Sequence, residues 1–233
     1  MQNNKEKEGT GDKINDFIQR NRKAIFAALG VIAAFFIGLI VFIAVSEQLN
    51  KKAIAEVEVL NEEFETLRAD IRENENTAAV NALLEKLKLF AGGKKGFPGS
   101  KAWSIIAQIY SSRESWNQAE EAWLNSARAG EKTYIGPIAF FNAAVAAEEQ
   151  GKIEDAIEYL KSCTAHKFEF SDAPRAQFNI GRLYEQLGNI SDAIDSYRAL
   201  LINFQWERNN TNNPNILFWQ NLARNRLIAL EVR

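Results

Sequence analysis

Hydrophobic and polar positions follow three different regimes along the chain. From Ala24 to Val45 all 22 residues are Ala, Ile, Phe, Leu, Gly or Val, with no charge, amide or hydroxyl. At about 1.5 Å per residue a helix of that length reaches roughly 33 Å, the hydrocarbon thickness of a bilayer. The run therefore predicts one membrane-crossing helix over residues 24–46. A cleaved leader fits less well, because its apolar core is usually about 7–15 residues long and no polar tail of this length precedes it. In the second regime, Glu47–Glu73 contains neither Gly nor Pro, and Ile54, Val57, Leu60, Phe64, Leu67 and Ile71 follow one another at intervals of three or four. That spacing predicts one continuous amphipathic helix. Thr77–Ala91 continues in the same way with Leu83, Leu84, Leu87 and Phe90 and stops at Gly92-Gly93, which leaves Gly92–Gly99 as a loop.

The third regime begins at Ser100, where the chain repeats itself. Trp103-x2-Ile106-Ala107-x2-Tyr110 is followed by Ala119-x3-Trp123. Phe140-x2-Ala143-Ala144-x2-Ala147 is followed by Ala156-x3-Leu160, and Gln177-x2-Ile180-Gly181-x2-Tyr184 by Ala193-x3-Tyr197. Ala119, Ala156 and Ala193 are 37 residues apart each time, as are Gly151 and Gly188, and Pro98, Pro137, Pro174 and Pro214 fall at the unit boundaries. Each unit reads as two helices that approach closely at Ala107, Ala144 or Gly181 on the first and at Ala119, Ala156 or Ala193 on the second. One such hairpin cannot bury its apolar face alone, so the units are expected to stack into an all-α, right-handed solenoid. After a turn-rich loop at Asn209–Pro214, a last amphipathic helix over Ile216–Val232, with Phe218, Trp219, Leu222, Leu227 and Leu230, is expected to cap it.

These residues carry a resemblance. The pattern resembles the tetratricopeptide repeat, W-x2-L-G-x2-Y followed by A-x3-F and a boundary proline, stretched from about 34 residues to 37. It covers Ser100–Leu201, with Pro214–Arg233 as half a unit, and departs in the middle unit, where Ala147 replaces an aromatic. In layout, from the Phe17-Ile18 and Asn21-Arg22-Lys23 lead-in through one span to a repeat domain, the chain is also similar to the YfgM type of membrane-anchored repeat protein. That second resemblance implies a bacterial inner-membrane location beside the Sec translocon and periplasmic chaperones.

Charge adds orientation. Lys13, Arg20, Arg22 and Lys23 precede the span and only Lys51 and Lys52 follow closely, so the tail over residues 1–23 is expected in the cytoplasm and the repeat domain outside it, in the periplasm. Met1–Thr10 has almost nothing to bury and is expected to be disordered, while Asp16-Phe17-Ile18 leads into the span as a short interfacial helix. Gly30, Ala34 and Gly38 share one helix face and would let a second copy approach as a homodimer. After the anchor 22 basic residues stand against 26 acidic ones, which provides no basic face for nucleic acid. The single cysteine, Cys163, cannot form an internal disulfide and takes the slot of a small residue packed between units.

Candidate chemistry is sparse. His166 is the only histidine and falls just past a second helix; H-E-x-x-H, G-x-S-x-G and paired-cysteine spacings are absent. The Gly- and Lys-bearing loop at residues 92–99 lacks the phosphate-binding order G-x-x-x-x-G-K-[ST]. No enzyme, metal or cofactor is expected, and the expected working part is a surface. By register the first helix of each unit lines a groove with Lys101, Ser104, Ile105, Gln108 and Ser112, then Ile138, Phe141, Asn142, Val145 and Glu149, then Arg175, Phe178, Asn179, Arg182 and Gln186. Such a mixture suits an extended peptide or a helix. Asn142 and Arg175 resemble parts of the carboxylate clamp of some tetratricopeptide domains, although Ser104 and Gln108 stand where that clamp has lysine and asparagine. The expected function is a membrane-anchored, exported scaffold for protein–protein interactions near the translocon or chaperones. The alternatives are a non-catalytic accessory subunit of an envelope biosynthetic complex, and a structural oligomeriser pairing through the span and the helix that follows it.

Overall fold

The computed structural model describes residues 10–73, 77–166, 170–204 and 213–231. The disorder expected of residues 1–9 and most of the turn-rich loop, at 209–212, lie outside them. The chain divides inside its first helix into two units, Met1–Lys52 and Ala53–Arg233.

Helix α1 (Thr10–Thr66) joins the lead-in, the apolar run and the start of the amphipathic segment without a break. No proline and only two glycines, Gly30 and Gly38, occur across it after Gly11, so nothing in its sequence stops a helix. In the first unit its apolar side chains are exposed, Phe26, Phe35 and Phe42 among them, and the most apolar window has a mean hydropathy of 2.9 with nothing buried. This helix is long and apolar enough to cross a membrane. A methyl at Gly30 or Gly38 would meet nothing within 4 Å.

In the second unit the rest of α1 buries Val57, Leu60 and Phe64 of the expected stripe, with Ala53 buried beside them and Ile54 only half-buried. The helix expected to run on to Glu73 is interrupted at Leu67, whose N–H is shared between Glu63 O at 3.2 Å and Phe64 O at 3.1 Å. That tightened turn ends α1, and α2 (Arg68–Arg72) resumes with Ile71 buried. Helix α3 (Thr77–Ala91) has its expected bounds and buries Val80, Leu83, Leu84, Leu87 and Phe90 in the same core. Lys86 of α3 reaches Glu63 of α1 at 2.7 Å. Helix α4 (Gly96–Ser112) corrects the expected loop, because Gly96–Gly99 is already its first turn. Pro98 fits there, since first-turn N–H groups have no intrahelical partner, and Gly99 leaves room for the Lys94 carbonyl, which a Cβ would strike.

The chain then alternates α5 (Trp116–Ala129), α6 (Ile135–Glu149), α7 (Ile153–Thr164), α8 (Ala173–Gln186), α9 (Ile190–Asn203) and α10 (Pro214–Glu231). Among the described residues there are ten helices and no strand. Ala119, Ala156 and Ala193 are fully buried, as their register requires. A methyl at Gly181 would stand 2.6 Å from the Tyr197 ring, so only glycine lets α8 and α9 approach this closely. The hairpin turn is the same in all three units: Ser115, Lys152 and Asn189 each donate a backbone N–H, at 2.9, 3.0 and 2.9 Å, to the carbonyls of Tyr110, Ala147 and Tyr184.

That turn needs a left-handed residue, supplied by Gly151 at φ +72° and Gly188 at φ +76°. In the first unit the position is Glu114, at φ +56°. A non-glycine residue there costs about 1–2 kcal/mol, against which glycine loses about 0.5–1 kcal/mol more conformational entropy on folding. Glu114→Gly is therefore expected to stabilise the domain by about 0.5–1 kcal/mol, read as a raised denaturation midpoint. A lowered midpoint would mean the turn is not shared.

The joint between the first two repeats is polar. Glu120 of α5, buried despite its charge, accepts hydrogen bonds from Tyr159 Oη at 2.9 Å and from Lys152 Nζ and Gln150 Nε2, both at 2.8 Å. Its slot holds Ile157 and Ile194 in the next two units. At the other first-helix joints a lysine lies over the tyrosine ring that Ala147 lacks, Lys88 over Tyr110 at 5.9 Å and Lys161 over Tyr184 at 5.6 Å.

Candidate functional site

The groove residues read from the sequence divide by slot. The slot shared by Ser104, Phe141 and Phe178 faces inward at the first two residues and is half-buried at the third. Ser104 is buried and its hydroxyl meets Ser126 Oγ at 2.8 Å. Phe141 is buried, 5.7 Å from the Phe170 ring, and Phe178 is half-buried between Tyr197 at 5.3 Å and Trp219 at 5.4 Å. Ser104, Phe141 and the fully buried Ile105 are corrected from groove to core, whereas Phe178 packs on Tyr197 and Trp219 and also borders the outer surface. The physical reason is that a first helix is covered on two sides, by its own second helix and by its neighbours, so its apolar stripe is wider than one groove face.

The remaining positions do face outward. Gln108, Ser112, Asn142 and Val145 line one depression of about 620 Å³. Arg182 and Gln186 line a second of about 440 Å³ with Glu185, Arg226 and the edges of Phe178 and Tyr197. Glu149 and Arg175 are exposed, and Lys101, Ile138 and Asn179 are half-buried. The clamp likeness does not carry into the geometry. Asn142 donates its amide to Ile138 O at 2.9 Å, and the Arg175 guanidinium lies over the Phe141 ring at 5.1 Å.

The first depression also has walls that the repeat register left out: Phe64, Arg68 and Ile71, with Trp116 and Trp123 of α5. The first three come from the end of α1 and from α2, where Phe64 and Ile71 belong to the apolar stripe expected of the amphipathic segment, so the wall of this depression extends beyond the consensus repeats.

The second depression is strongly charged but internally neutral. Arg182 forks onto Glu148 with bonds of 2.8 and 2.7 Å. Glu185 takes the Tyr197 hydroxyl at 2.6 Å and the Arg226 guanidinium, whose Nε lies at 3.0 Å. Burial pushes the Tyr197 hydroxyl well above the ordinary phenol range, and the bond to Glu185 adds to the effect. Cys163 is buried, and burial raises its thiol to about 12, so it packs between units without thiolate character. His166 follows α7 with its ring 6.5 Å from Phe140 and against Gly136. Among the described residues no three His, Cys, Asp or Glu side chains gather as a metal centre would need.

The tetratricopeptide-repeat family model matches residues 106–167 and 141–210, the units built from α4 to α9. A TPR repeat-containing protein of Treponema pallidum (strain Nichols) is 30% identical over 238 residues, covering 94% of each chain. The chain belongs to the tetratricopeptide-repeat family. Two crystal structures of nearly identical TPR-like repeats, from a Podosopora anserina protein described as a kinesin light chain, superpose on 75% of this tetratricopeptide-repeat chain. Their TM-scores are 0.54 and 0.53 with 16% identity, covering 85% and 91% of those chains, which establishes a shared fold. The all-helical repeat array marks the protein as a scaffold for protein–protein interaction.

Proposed function

We propose that this tetratricopeptide-repeat protein is anchored in the bacterial inner membrane by residues 24–46 and presents residues 47–233 in the periplasm. There the outward slots of its first helices capture segments of other proteins beside the Sec translocon or periplasmic chaperones. The observation that carries this reading is the combination, in one chain, of an exposed apolar helical run with a depression lined by amide, hydroxyl and apolar side chains. The excess of Lys and Arg before the run supports the orientation, and the bacterial relative along nearly the whole chain supports the setting.

Two measurements test it. A reporter fused after Arg233 is expected to be active only outside the cytoplasm, and protease added to spheroplasts is expected to digest the repeats. Photocrosslinking side chains at Gln108 and Gln186 are expected to form adducts with translocon or chaperone subunits in cells. Repeats protected from protease overturn the orientation, and adducts from neither position overturn the groove.

A further inference from the structure

Charge is spread unevenly over the part of the chain that follows the apolar run. From Lys86 to Arg113 the sequence carries Lys86, Lys88, Lys94, Lys95, Lys101 and Arg113 and no acidic residue, within a region where acidic residues outnumber basic ones by 26 to 22. Lys86 and Lys88 are tied to Glu63 and Glu85. Lys94 and Lys95, in the loop between α3 and α4, are exposed and meet no carboxylate among the described residues.

Apolar side chains stand beside these two lysines. Leu89, in the last turn of α3, is 83% exposed, and Lys94 lies over the Phe90 ring at 5.1 Å. Phe97, just after the loop, has its ring 6.1 Å from that of Tyr134, which is 58% exposed. On the same side of the domain Lys132 is exposed, with Glu131 next to it in sequence. Unpaired ammonium groups interleaved with an exposed leucine and tyrosine have the composition of a bilayer interface: the apolar side chains enter at the level of the acyl boundary, and the lysines meet headgroup phosphates.

Position selects the partner. Phe64 and Ile71 share a depression with Ser111 and Ser112 at the end of α4. The start of α4 and the loop before it therefore lie at the other end of these helices, where the chain enters the second unit at Ala53. Residues 47–52, at most about 25 Å of chain, are all that lies between Ala53 and the proposed span.

We infer that the loop between α3 and α4, with Leu89, Lys94, Lys95 and Tyr134, docks on the anionic phospholipid surface of the membrane that holds the chain. The inference rests on the proposed anchoring by residues 24–46, and adds a second contact with the bilayer, made by the repeat domain itself.

The test uses the full-length protein reconstituted in liposomes, with a nitrobenzoxadiazole probe on Leu89→Cys. Cys163 is buried and stays unlabelled, which wild type treated with the same reagent verifies. A nitroxide carried on lipid headgroups is expected to quench the probe at least about twofold more strongly with phosphatidylglycerol in the bilayer than with phosphatidylcholine alone, and raised salt is expected to remove the difference. Lys94→Glu combined with Lys95→Glu is expected to abolish that difference with an unchanged melting curve, because both side chains are exposed. A probe on Glu154→Cys, in the first turn of α7, is expected to show no dependence on lipid charge. Equal quenching in the two lipids, indifference to the double charge reversal, or the same response from Glu154→Cys overturns the inference. A Leu89→Cys probe that responds to added polyglutamate but not to phosphatidylglycerol also overturns it and assigns the patch to an acidic polypeptide. Flotation after an alkaline wash separates the two levels: a retained chain without charge-dependent quenching leaves the anchor standing and removes the lipid contact, and a chain that washes out removes both.

Discussion

Tyr197→Ala is expected to destabilise the repeat domain by about 3–5 kcal/mol, the usual cost of truncating a fully buried aromatic residue. The ring is completely enclosed, lies 5.3 Å from Phe178 and fills the space that Gly181 leaves open. Its hydroxyl holds Glu185, which in turn anchors Arg226 of α10. Truncation leaves a cavity beside glycine, where no side chain can move in to fill it. Tyr197→Phe keeps the ring and loses only the hydroxyl, so it should cost about 0.5–1.5 kcal/mol, with Arg226 still satisfying Glu185. Because a repeat array is stabilised by contacts between neighbours, the loss should be local. Hydrogen exchange should quicken in α8, α9 and α10 and stay slow in α4 and α5. A denaturation midpoint for Tyr197→Ala within the range of Tyr197→Phe would refute the packing described here.

Much of this architecture is legible in the sequence because backbone demands recur at fixed spacing. Ala119, Ala156 and Ala193 are all fully buried, and α3 ends where its glycines say it should. Glycine reports only the turns it occupies, however. Glu114 makes the same left-handed turn as Gly151 and Gly188, and no residue type announces it. The direction of an apolar side chain is harder still. Phe141 and Phe178 have the spacing of groove anchors, but the same spacing serves the interface between hairpins, and at Phe141 the packed side wins because burial of a large ring outweighs partial exposure, while Phe178 keeps an edge on the second depression.

The wall formed by α1 and α2 was hidden for a different reason. Phe64 and Ile71 lie ahead of the repeats on a helix interrupted at Leu67, and this segment carries none of the small-residue and turn signature that identifies the later hairpins. A groove counted from Lys101 looks polar at its start, whereas the depression that includes Phe64 is apolar and tryptophan-lined. Gln108, Ser112, Asn142 and Val145, read from the sequence as outward positions, line this depression together with Phe64, Arg68 and Ile71, which the repeat pattern does not include.

Glu120→Ala is expected to cost about 1–3 kcal/mol, the penalty for leaving buried hydrogen-bonding groups without a partner. Nothing in the sequence marks this glutamate, since a helical carboxylate normally faces water and its three partners lie 30–39 residues further on. Burial by itself would raise its pKa, but the bonds from Lys152, Tyr159 and Gln150 together prevail and hold the carboxyl below its ordinary 4.5. Tyr159, partly buried and bonded to that carboxylate, moves the other way, from 10.0 to about 12. A depressed acid contributes stability above its unfolded pKa and loses it as pH falls through the folded value, and a raised phenol contributes below 10.0 and loses it as pH rises toward 12. The joint between the first two repeats should therefore be strongest between those limits and loosen on acidification. Lys152 is 39% exposed, so water takes up its charge when Glu120 is removed, which keeps the cost below that of a sealed ion pair. Glu120→Gln keeps an acceptor for Tyr159 or Lys152 and should cost less, while abolishing the acid dependence that the carboxylate confers. Urea unfolding of the three chains from about pH 7 to about pH 3 measures this: the gap between wild type and Glu120→Gln should narrow as pH falls, and a constant gap would show that the carboxylate is not the group that joins α5 to α7.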